Sequence, residues 1–311
     1  MADTLKTAAQ LLKLADQNLA PGFASDLLID APLIAMMAAT AANASQGMQH
    51  KYLKHVSAPT VGFRPVNTGV DITASDQTLV TVDLKNLSAN VRMDQQIAQA
   101  HPAGVEVCMD IEGMLALQNA FSAGEKQLIY GSTLDANGFT GIAQAATIDG
   151  LADGMVTNAT GTTALTSVYL MRFGEADCEL ILGRDGNIQQ GATFEQMVAD
   201  STGKLFPAYV RIQEALMSIK VGGIYSLGRI ANIGSAAGKT LTDALLYQAI
   251  STFPSNRGPS VIVMNRRSIY QLRASRTATN PTGTAAPLPT EIEGIPIVVT
   301  DSVLNTETAV A

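Results

Sequence analysis

Residues 102–130, PAGVEVCMDIEGMLALQNAFSAGEKQLIY, carry the longest helical pattern of the chain. Val105, Cys108 and Leu115 recur at intervals of three and seven residues, which places them on one face of a helix. Pro102 suits the first turn, where a backbone N–H is not needed. The pattern predicts a helix of roughly 25 residues, and at about 1.5 Å per residue it would span about 37 Å, which is long for a globular domain.

The residues before this helix predict a long hairpin, which we place at 56–90. Its first half, 57–69, reads SAPTVGFRPVNTG and is held extended by prolines and glycines. In the returning half, Val80, Val82 and Leu84 alternate with polar residues at the period of a strand. The outer part of the hairpin carries few large apolar residues, so we expect it to lie on another surface rather than form a core.

The other patterned segments are shorter. Two helices are predicted before the hairpin, at 4–20 and 27–42, the second interrupted or started at Pro32. Behind the long helix we predict a glycine-rich turn at 131–142, loop with short elements at 143–166, a hairpin at 167–182, strands at 206–213 and within 215–233, a helix at 241–252, a strand at 260–264, a helix at 266–275 and a strand at 295–300.

The chain is poor in charge. Of 311 residues, 20 are Lys or Arg and 27 are Asp or Glu, a net charge of -7, and only 15% are charged while 47% are hydrophobic. A typical soluble domain has about 25% charged residues. This composition excludes a disordered chain and a generally basic nucleic-acid binder. It also suggests that part of the surface is covered by partners.

Motifs of enzymes and metal proteins are weak or missing. Cys108 and Cys178 have no CxxC spacing, and His50 and His55 lack a third ligand nearby, so we predict no metal site, no cofactor site and no catalytic residues. The start of the chain has no signal-peptide pattern, which favours a protein made in the cytoplasm. The apolar run 27–42 is shorter than a membrane span, so no membrane partner is expected.

One segment resembles a phosphate-binding loop. Residues 234–240, GSAAGKT, have three residues between the glycines where that motif requires four. The alternative interpretation is a linker before a helix that is capped by Thr240 or Thr242, with Asp243 in its first turn. We favour the linker and keep a nucleotide-dependent enzyme as a minor hypothesis.

One local charge feature contrasts with the acidic chain. Between Asp243 and Glu291 there is no acidic residue. The same stretch contains five arginines: Arg257, Arg266, Arg267, Arg273 and Arg276. They either pair with acids and carbonyls elsewhere in the chain, or they contact an acidic neighbour or a nucleic-acid backbone. Together with Arg64 in the hairpin, they are the candidate contacts between subunits or with DNA.

The order of these parts resembles the tailed-phage major capsid proteins of the Hong Kong 97-type fold, and in particular the branch represented by phage epsilon 15. The resemblance is most specific at Asn90–Ile97, NVRMDQQI, and it continues through Gln127–Gly131 and Gly138–Ile142. Further matching segments are 166–174, 228–233 and 293–299. It covers nearly the whole chain and rests on the order of segments, because no single motif has the specificity of a catalytic signature.

The resemblance implies an α+β fold with four parts. These are an N-terminal arm at 1–55, an extended loop at 56–90, a peripheral domain at 91–236 with the spine helix 102–130, and a mostly axial domain at 237–311. In the founding member the segment comparable to 237–311 precedes the peripheral strands, so we predict a permuted order here.

The resemblance also implies a function. A protein of this family assembles with itself into pentamers and hexamers of an icosahedral bacteriophage head that encloses double-stranded DNA, and it is not an enzyme. Portal, separate scaffolding and decoration proteins are further candidate partners. We expect assembly in the host cytoplasm and a final location in the virion. The alternative is an encapsulin-like compartment, with the same fold around protein cargo.

Overall fold

The computed structural model describes residues 31–38, 40–45, 47–183, 186, 188–280 and 284–310. The predicted helix 4–20 and the start of the predicted helix 27–42 therefore lie outside the described residues. The helices of the described ranges are α1 Pro32–Ala38, α2 Gln95–Gln99, α3 Val105–Tyr130, α4 Ala145–Ile148, α5 Asp243–Ser251 and α6 Arg266–Thr279. The strands are β1 Ala42–Asn43, β2 Gln49–Ser57, β3 Asp76–Asp83, β4 Lys85–Ser88, β5 Val91–Asp94, β6 Val156–Asn158, β7 Thr166–Met171, β8 Cys178–Leu182, β9 Gln189–Gln190, β10 Phe194–Ala199, β11 Leu205–Arg211, β12 Gln213–Val221, β13 Leu227–Ile233, β14 Val261–Met264, β15 Glu291–Ile292 and β16 Ile295–Val299.

The long helix is present and its ends are set by glycines. Gly104, with φ of 89°, precedes the first turn, so α3 begins at Val105 rather than at Pro102. Gly131, with φ of 58°, ends it, and the Gly131 N–H donates to the carbonyl of Gln127. Both values lie in the left-handed region that favours glycine. The 26 residues of α3 span about 39 Å at about 1.5 Å per residue.

A six-stranded sheet forms the centre of the molecule, in the order β15-β16-β14-β7-β13-β6. Along β7, Tyr169 and Met171 face one apolar cluster, which contains Leu128 and Ile129 from α3. The alternate residues of β7 face a second cluster, which contains residues of α5 and α6. The sheet is therefore buried on both faces, which explains why its strands are almost continuously apolar.

Two smaller sheets and a hairpin complete the fold. One sheet has the order β1-β8-β12-β4 with β9 also paired to β12, and another has the order β10-β11-β5. The hairpin consists of β2 and β3, which pair antiparallel from Gln49 opposite Asp83 to Ser57 opposite Asp76.

The predicted hairpin at 167–182 was wrong in its pairing. Strands occur where they were predicted, as β7 and β8, but β7 lies between β13 and β14 whereas β8 pairs with β12 in another sheet. The connecting turn moves the chain from one sheet to the next and is closed by an Arg172–Asp177 ion pair of 2.9 Å. Both long edges of β7 are already occupied, so no edge is free for β8.

The predicted bounds of the extended hairpin also need correction. Its first strand, β2, lies at 49–57, which had been placed in the arm, and the residues 58–75 are loop. Along β2, half-buried residues alternate with exposed ones, but the half-buried ones include His50 and Lys54. Because the inward positions are polar, the sequence carried no apolar period that would reveal this strand.

The predicted boundary between 236 and 237 passes through the six-stranded sheet. β14 and β16 come from the segment 237–311, and they share this sheet with β7 and β13, which had been assigned to the peripheral part. Residues 237–311 are therefore not a separate structural unit, and the permuted order was wrong as drawn.

Candidate interaction surfaces

The base of the β2–β3 hairpin is attached to the body of the molecule by polar side chains. The Tyr52 hydroxyl donates to the carbonyl of Val221 at 3.0 Å, and the Lys54 ammonium donates to the carbonyl of Gly150 at 2.7 Å. The Lys220 ammonium lies 5.1 Å from the centre of the Tyr52 ring, at a distance that allows a cation–π contact. Burial raises the pKa of Tyr52 to about 12, so its hydroxyl stays a donor at neutral pH. These contacts hold the base in place.

The two histidines of β2 do not form a metal site. His50 is half-buried and His55 is exposed, and they point to opposite faces because they are five residues apart. Burial, together with the nearby charge of Lys220, lowers the pKa of His50. Within the described ranges, no group of three or more His, Cys, Asp or Glu side chains could hold a metal ion.

The loop 58–75 exposes apolar side chains. Phe63 is fully exposed, at 106%, and the exposed fractions of Val61, Val66 and Ile72 are 89%, 89% and 85%. Inside the loop, the backbone–backbone hydrogen bond is the one from Thr68 N–H to the Pro65 carbonyl, at 3.3 Å. A contiguous set of uncovered apolar residues marks a surface that binds a partner.

Three of the six candidate arginines have partners within the chain. Arg276 forms a two-pronged pair with Asp243, at 2.7 and 2.9 Å, and this hydrogen bonding raises the pKa of Arg276. Arg267 donates to the carbonyls of Ala164 and Ile233, at 2.6 and 3.3 Å, and its burial lowers its pKa. These two arginines are structural.

Arg273 is held at one end only, because its Nε donates to the carbonyl of Ala286 at 2.8 Å while the residue as a whole is exposed. Arg266 and Arg273 lie seven residues apart on α6, and Tyr270, which is 70% exposed, lies between them. This spacing puts the three side chains on one face of the helix. Arg257 is also exposed, and it lies in the turn after α5.

Arg64 belongs to a different surface. It lies in the exposed loop 58–75, where its guanidinium donates to the carbonyl of Thr68 at 3.4 Å. The structure therefore brings together Arg266 and Arg273, places Arg257 and Arg64 elsewhere, and leaves a role in binding for all four as a prediction.

The segment 234–240 is a connecting turn. The Gly234 N–H donates to the Lys239 carbonyl at 2.8 Å, so the loop closes on itself, and the Lys239 ammonium donates to the Thr160 hydroxyl. Thr242 caps α5 by accepting from the Leu245 N–H at 3.4 Å, and Asp243 lies in the first turn, as predicted. The lysine that would bind a phosphate is used within the chain.

A buried ion pair that the sequence analysis missed connects the end of the chain to the central sheet. Glu307 and Arg229 lie 3.0 Å apart, and their side chains are only 4% and 5% exposed. Glu307 also accepts from the hydroxyls of Tyr130, at 2.7 Å, and of Ser167, at 2.5 Å. Burial raises the pKa of Tyr130, which therefore remains a donor. The signal in the sequence was Arg229, a charged residue in the otherwise apolar strand β13.

A second buried acid lies inside the spine helix. The Glu125 carboxylate accepts from the N–H groups of Leu33, at 2.8 Å, and of Ile34, at 3.2 Å, and from the Thr300 hydroxyl. It thereby joins α1, α3 and the residue after β16. Its position four residues after Phe121, on the apolar side of the helix, was the available signal.

Both cysteines are free and buried. Burial raises the pKa of Cys178 to about 12, so its thiol stays protonated and unreactive. No helix in the described ranges is long and apolar enough to cross a membrane.

The model of one protein family, described as major capsid protein GP7, matches residues 30–311. A chain in the near-atomic structure of bacteriophage epsilon 15 is 21% identical, with a TM-score of 0.67, over 100% of this chain and 98% of that one, which shows a shared fold. The decorated capsid of bacteriophage JBD30 is 11% identical (TM-score 0.48; 95% and 98% covered). The encapsulin of Synechococcus elongatus PCC 7942 is 10% identical (TM-score 0.43; 74% and 96% covered). No curated protein matches the chain.

Proposed function

This chain belongs to the major capsid protein GP7 family, and from that premise we propose that copies of it assemble into the pentamers and hexamers of an icosahedral bacteriophage head around double-stranded DNA. The protein is a structural component of a capsid with the Hong Kong 97-type α+β fold, and it is not an enzyme. Its place is the virion, and assembly in the host cytoplasm belongs to the proposal.

The uncovered loop 58–75 is the observation that carries the proposed assembly. Its apolar residues have no cover within the chain, and a second copy of the chain would bury them. The scarcity of charge fits the same explanation, because the cores of protein–protein interfaces are depleted of charged residues. We therefore place the loop across a neighbouring subunit, and the arm, at about 1–45, on another.

The division of the chain into two lobes follows from the sheets. The peripheral domain would contain α3 with the two smaller sheets, and the axial domain the six-stranded sheet with α5 and α6. This division moves strands β6, β7 and β13 out of the predicted peripheral range 91–236. The extended loop would consist of 49–83 rather than 56–90.

The assembly proposal predicts a large effect of Phe63→Ser. Burial of a Phe side chain contributes about 1.5–3 kcal/mol per contact, and about 1.4 kcal/mol is tenfold in affinity. Each contact between subunits should therefore weaken about ten- to a hundredfold, and the yield of shells seen by negative-stain electron microscopy should fall sharply. Asp71→Asn, an equally exposed change in the same loop, should leave the yield unchanged. A wild-type chain that stays a monomer under all assembly conditions would contradict the function itself.

Particle contents distinguish the phage head from an encapsulin-like compartment, which is the alternative. Nuclease-protected, genome-length DNA in particles from infected cells would support the head. Particles filled with one cellular enzyme would support the compartment. A portal, a separate scaffolding protein and decoration proteins remain proposed partners, to be identified by mass spectrometry of the same particles.

The outward face of α6 is the proposed second contact. Arg266 and Arg273 would meet acidic groups of a neighbouring subunit or the packaged DNA. We expect the double change Arg266→Glu and Arg273→Glu to reduce the yield of DNA-filled particles at least tenfold, with little change in the stability of the unassembled chain, because both side chains are exposed. Arg276→Glu is the contrasting variant: it breaks the pair with Asp243 and should destabilise the chain itself. Full yield from the double variant would remove this surface from the proposal.

A further inference from the structure

Strand β10 is an open edge of the sheet β10-β11-β5. In the part of the chain that the structure describes, β10 pairs with β11 alone, from Phe194 opposite Val210 to Ala199 opposite Leu205. Five of its six residues are exposed, and Met197 is 54% exposed. A strand of this kind presents a row of unused N–H and C=O groups to solvent.

The backbone groups that point outward follow from Pro207. Met197 lies opposite Pro207, which has no N–H, so this pair is one of the wide pairs that exchange no hydrogen bonds. The ladder confirms the alternation, since the Asp200 N–H donates to the Lys204 carbonyl at 2.8 Å three positions further on. The N–H and C=O groups of Glu195, Met197 and Ala199 therefore point away from β11.

This edge carries none of the features that keep sheet edges apart. The strand FEQMVA contains no proline and no lysine, and its single charge is Glu195. Natural monomers cover or charge such edges, or shorten them. Phe194, Met197 and Leu205 add exposed apolar area beside it.

We propose, resting on the assembly function above, that β10 pairs antiparallel with the same strand of a second copy about a two-fold axis centred on Met197. The two three-stranded sheets would become one continuous sheet of six strands. Met197 would then lie opposite Met197 of the second copy, and Glu195 opposite Ala199, so no like charges face each other. The three outward residues of each strand would exchange about six backbone hydrogen bonds.

The register favours the same strand over the loop 58–75 as the occupant. The loop contains Pro59 and Pro65, which cannot donate to a ladder, and its Asn67 has a φ of 63°, which breaks an extended run. Strand β10 has an unbroken set of donors and acceptors, and its pairing with itself satisfies them on both sides at once. A two-fold contact of this kind is self-complementary and closed.

The first test separates the backbone from the side chain. Met197→Pro removes one outward N–H and keeps every hydrogen bond to β11, so the unassembled chain should keep its circular dichroism spectrum, while the yield of shells should fall at least tenfold. Met197→Ala keeps the N–H and should assemble to within a few-fold of wild type. Wild-type yield from Met197→Pro would overturn the pairing.

The second test reads the register and does not depend on how well the proline variant folds. Residues facing each other in a hydrogen-bonded pair lie about 5.5 Å apart at Cα, so assembled M197C should form a covalent dimer with a short bismaleimide. In the same geometry the two copies of position 199 are about 14 Å apart along the strands, so A199C should form little dimer. Cys108 and Cys178 are buried and should not react.

The outcomes distinguish the two levels of the argument. Shells of M197C that give no dimer, or as much dimer from A199C as from M197C, would refute the two-fold pairing and leave the capsid function intact. A dimer from M197C joined with V61C, but not from M197C alone, would assign the edge to the loop 58–75 and refute the pairing of β10 with itself. Absence of wild-type shells would refute the proposed assembly.

Discussion

Glu307→Ala should destabilise the unassembled chain by about 3–5 kcal/mol, because it leaves the Arg229 guanidinium buried without its counter-charge. The loss does not stop at the ion pair. The hydroxyls of Tyr130 and Ser167 would lose their acceptor in an environment that water does not reach, and each unsatisfied buried group adds about 1–3 kcal/mol before the structure relaxes. Urea denaturation, followed by circular dichroism, measures the change.

Matched variants test this explanation. Asp71→Ala removes an acid from the exposed loop and should change the stability by less than about 0.5 kcal/mol. Arg229→Met in the Glu307→Leu background removes both charges, and a packed apolar pair should recover most of the loss, since replacing a buried ion pair by apolar residues is often close to neutral. A single Glu307→Ala change that costs under 1 kcal/mol would mean that the pair does not hold the end of the chain.

Gly141→Ala should be the most damaging glycine substitution near the end of the spine helix, with a cost of about 3 kcal/mol or more. A Cβ at this position would lie 2.7 Å from the carbonyl oxygen of Ile129 and closer still to the backbone N of Gly131. Both neighbours are backbone atoms, which cannot turn aside as a side chain can. The added methyl would separate the segment 141–143 from the last turn of α3.

That segment has a specific role, which the substitution would disrupt. The N–H groups of Ile142 and Ala143 donate to the carbonyls of Leu128, at 2.9 Å, and of Ile129, at 2.8 Å, which are among the last carbonyls of the helix. Gly258→Ala is the matched control, because a Cβ there would meet nothing within 4 Å. The control should stay within about 0.5 kcal/mol of wild type. Equal melting temperatures for the two variants would refute the close approach.

Both predictions concern contacts that differ in how visible they were in the sequence. The glycines of 131–142 stood out as a turn after a long helix, and the structure gives the reason: two backbones meet there. The pairing of Glu307 with Arg229 joins residues 78 positions apart, and nothing near Glu307 in the chain indicates a buried position. A sequence reading could find Arg229 as an anomaly in an apolar strand but not its partner.

The arginines of 257–276 follow the same rule. Their concentration was visible as a stretch without acids, and the first interpretation treated them as one group. In the structure, Arg276 is paired with Asp243, which stands at the very edge of that stretch, and Arg267 bonds to carbonyls of two distant segments. Only the burial and direction of each side chain separate the structural arginines from the exposed Arg266 and Arg273.

The sequence by itself determined the spine helix, the cap at Thr242 and the positions of most strands, because these depend on periodicity and turn residues within a few positions of each other. Tertiary structure alone decided that β7 and β8 belong to different sheets, that the hairpin begins at Gln49, and that β10 ends a sheet with its outer edge free. The physical reason is that a strand carries hydrogen-bonding groups on two edges, and its own residues do not specify which distant strand will use them. That choice depends on which apolar faces are buried together, and it is made only when the whole chain packs.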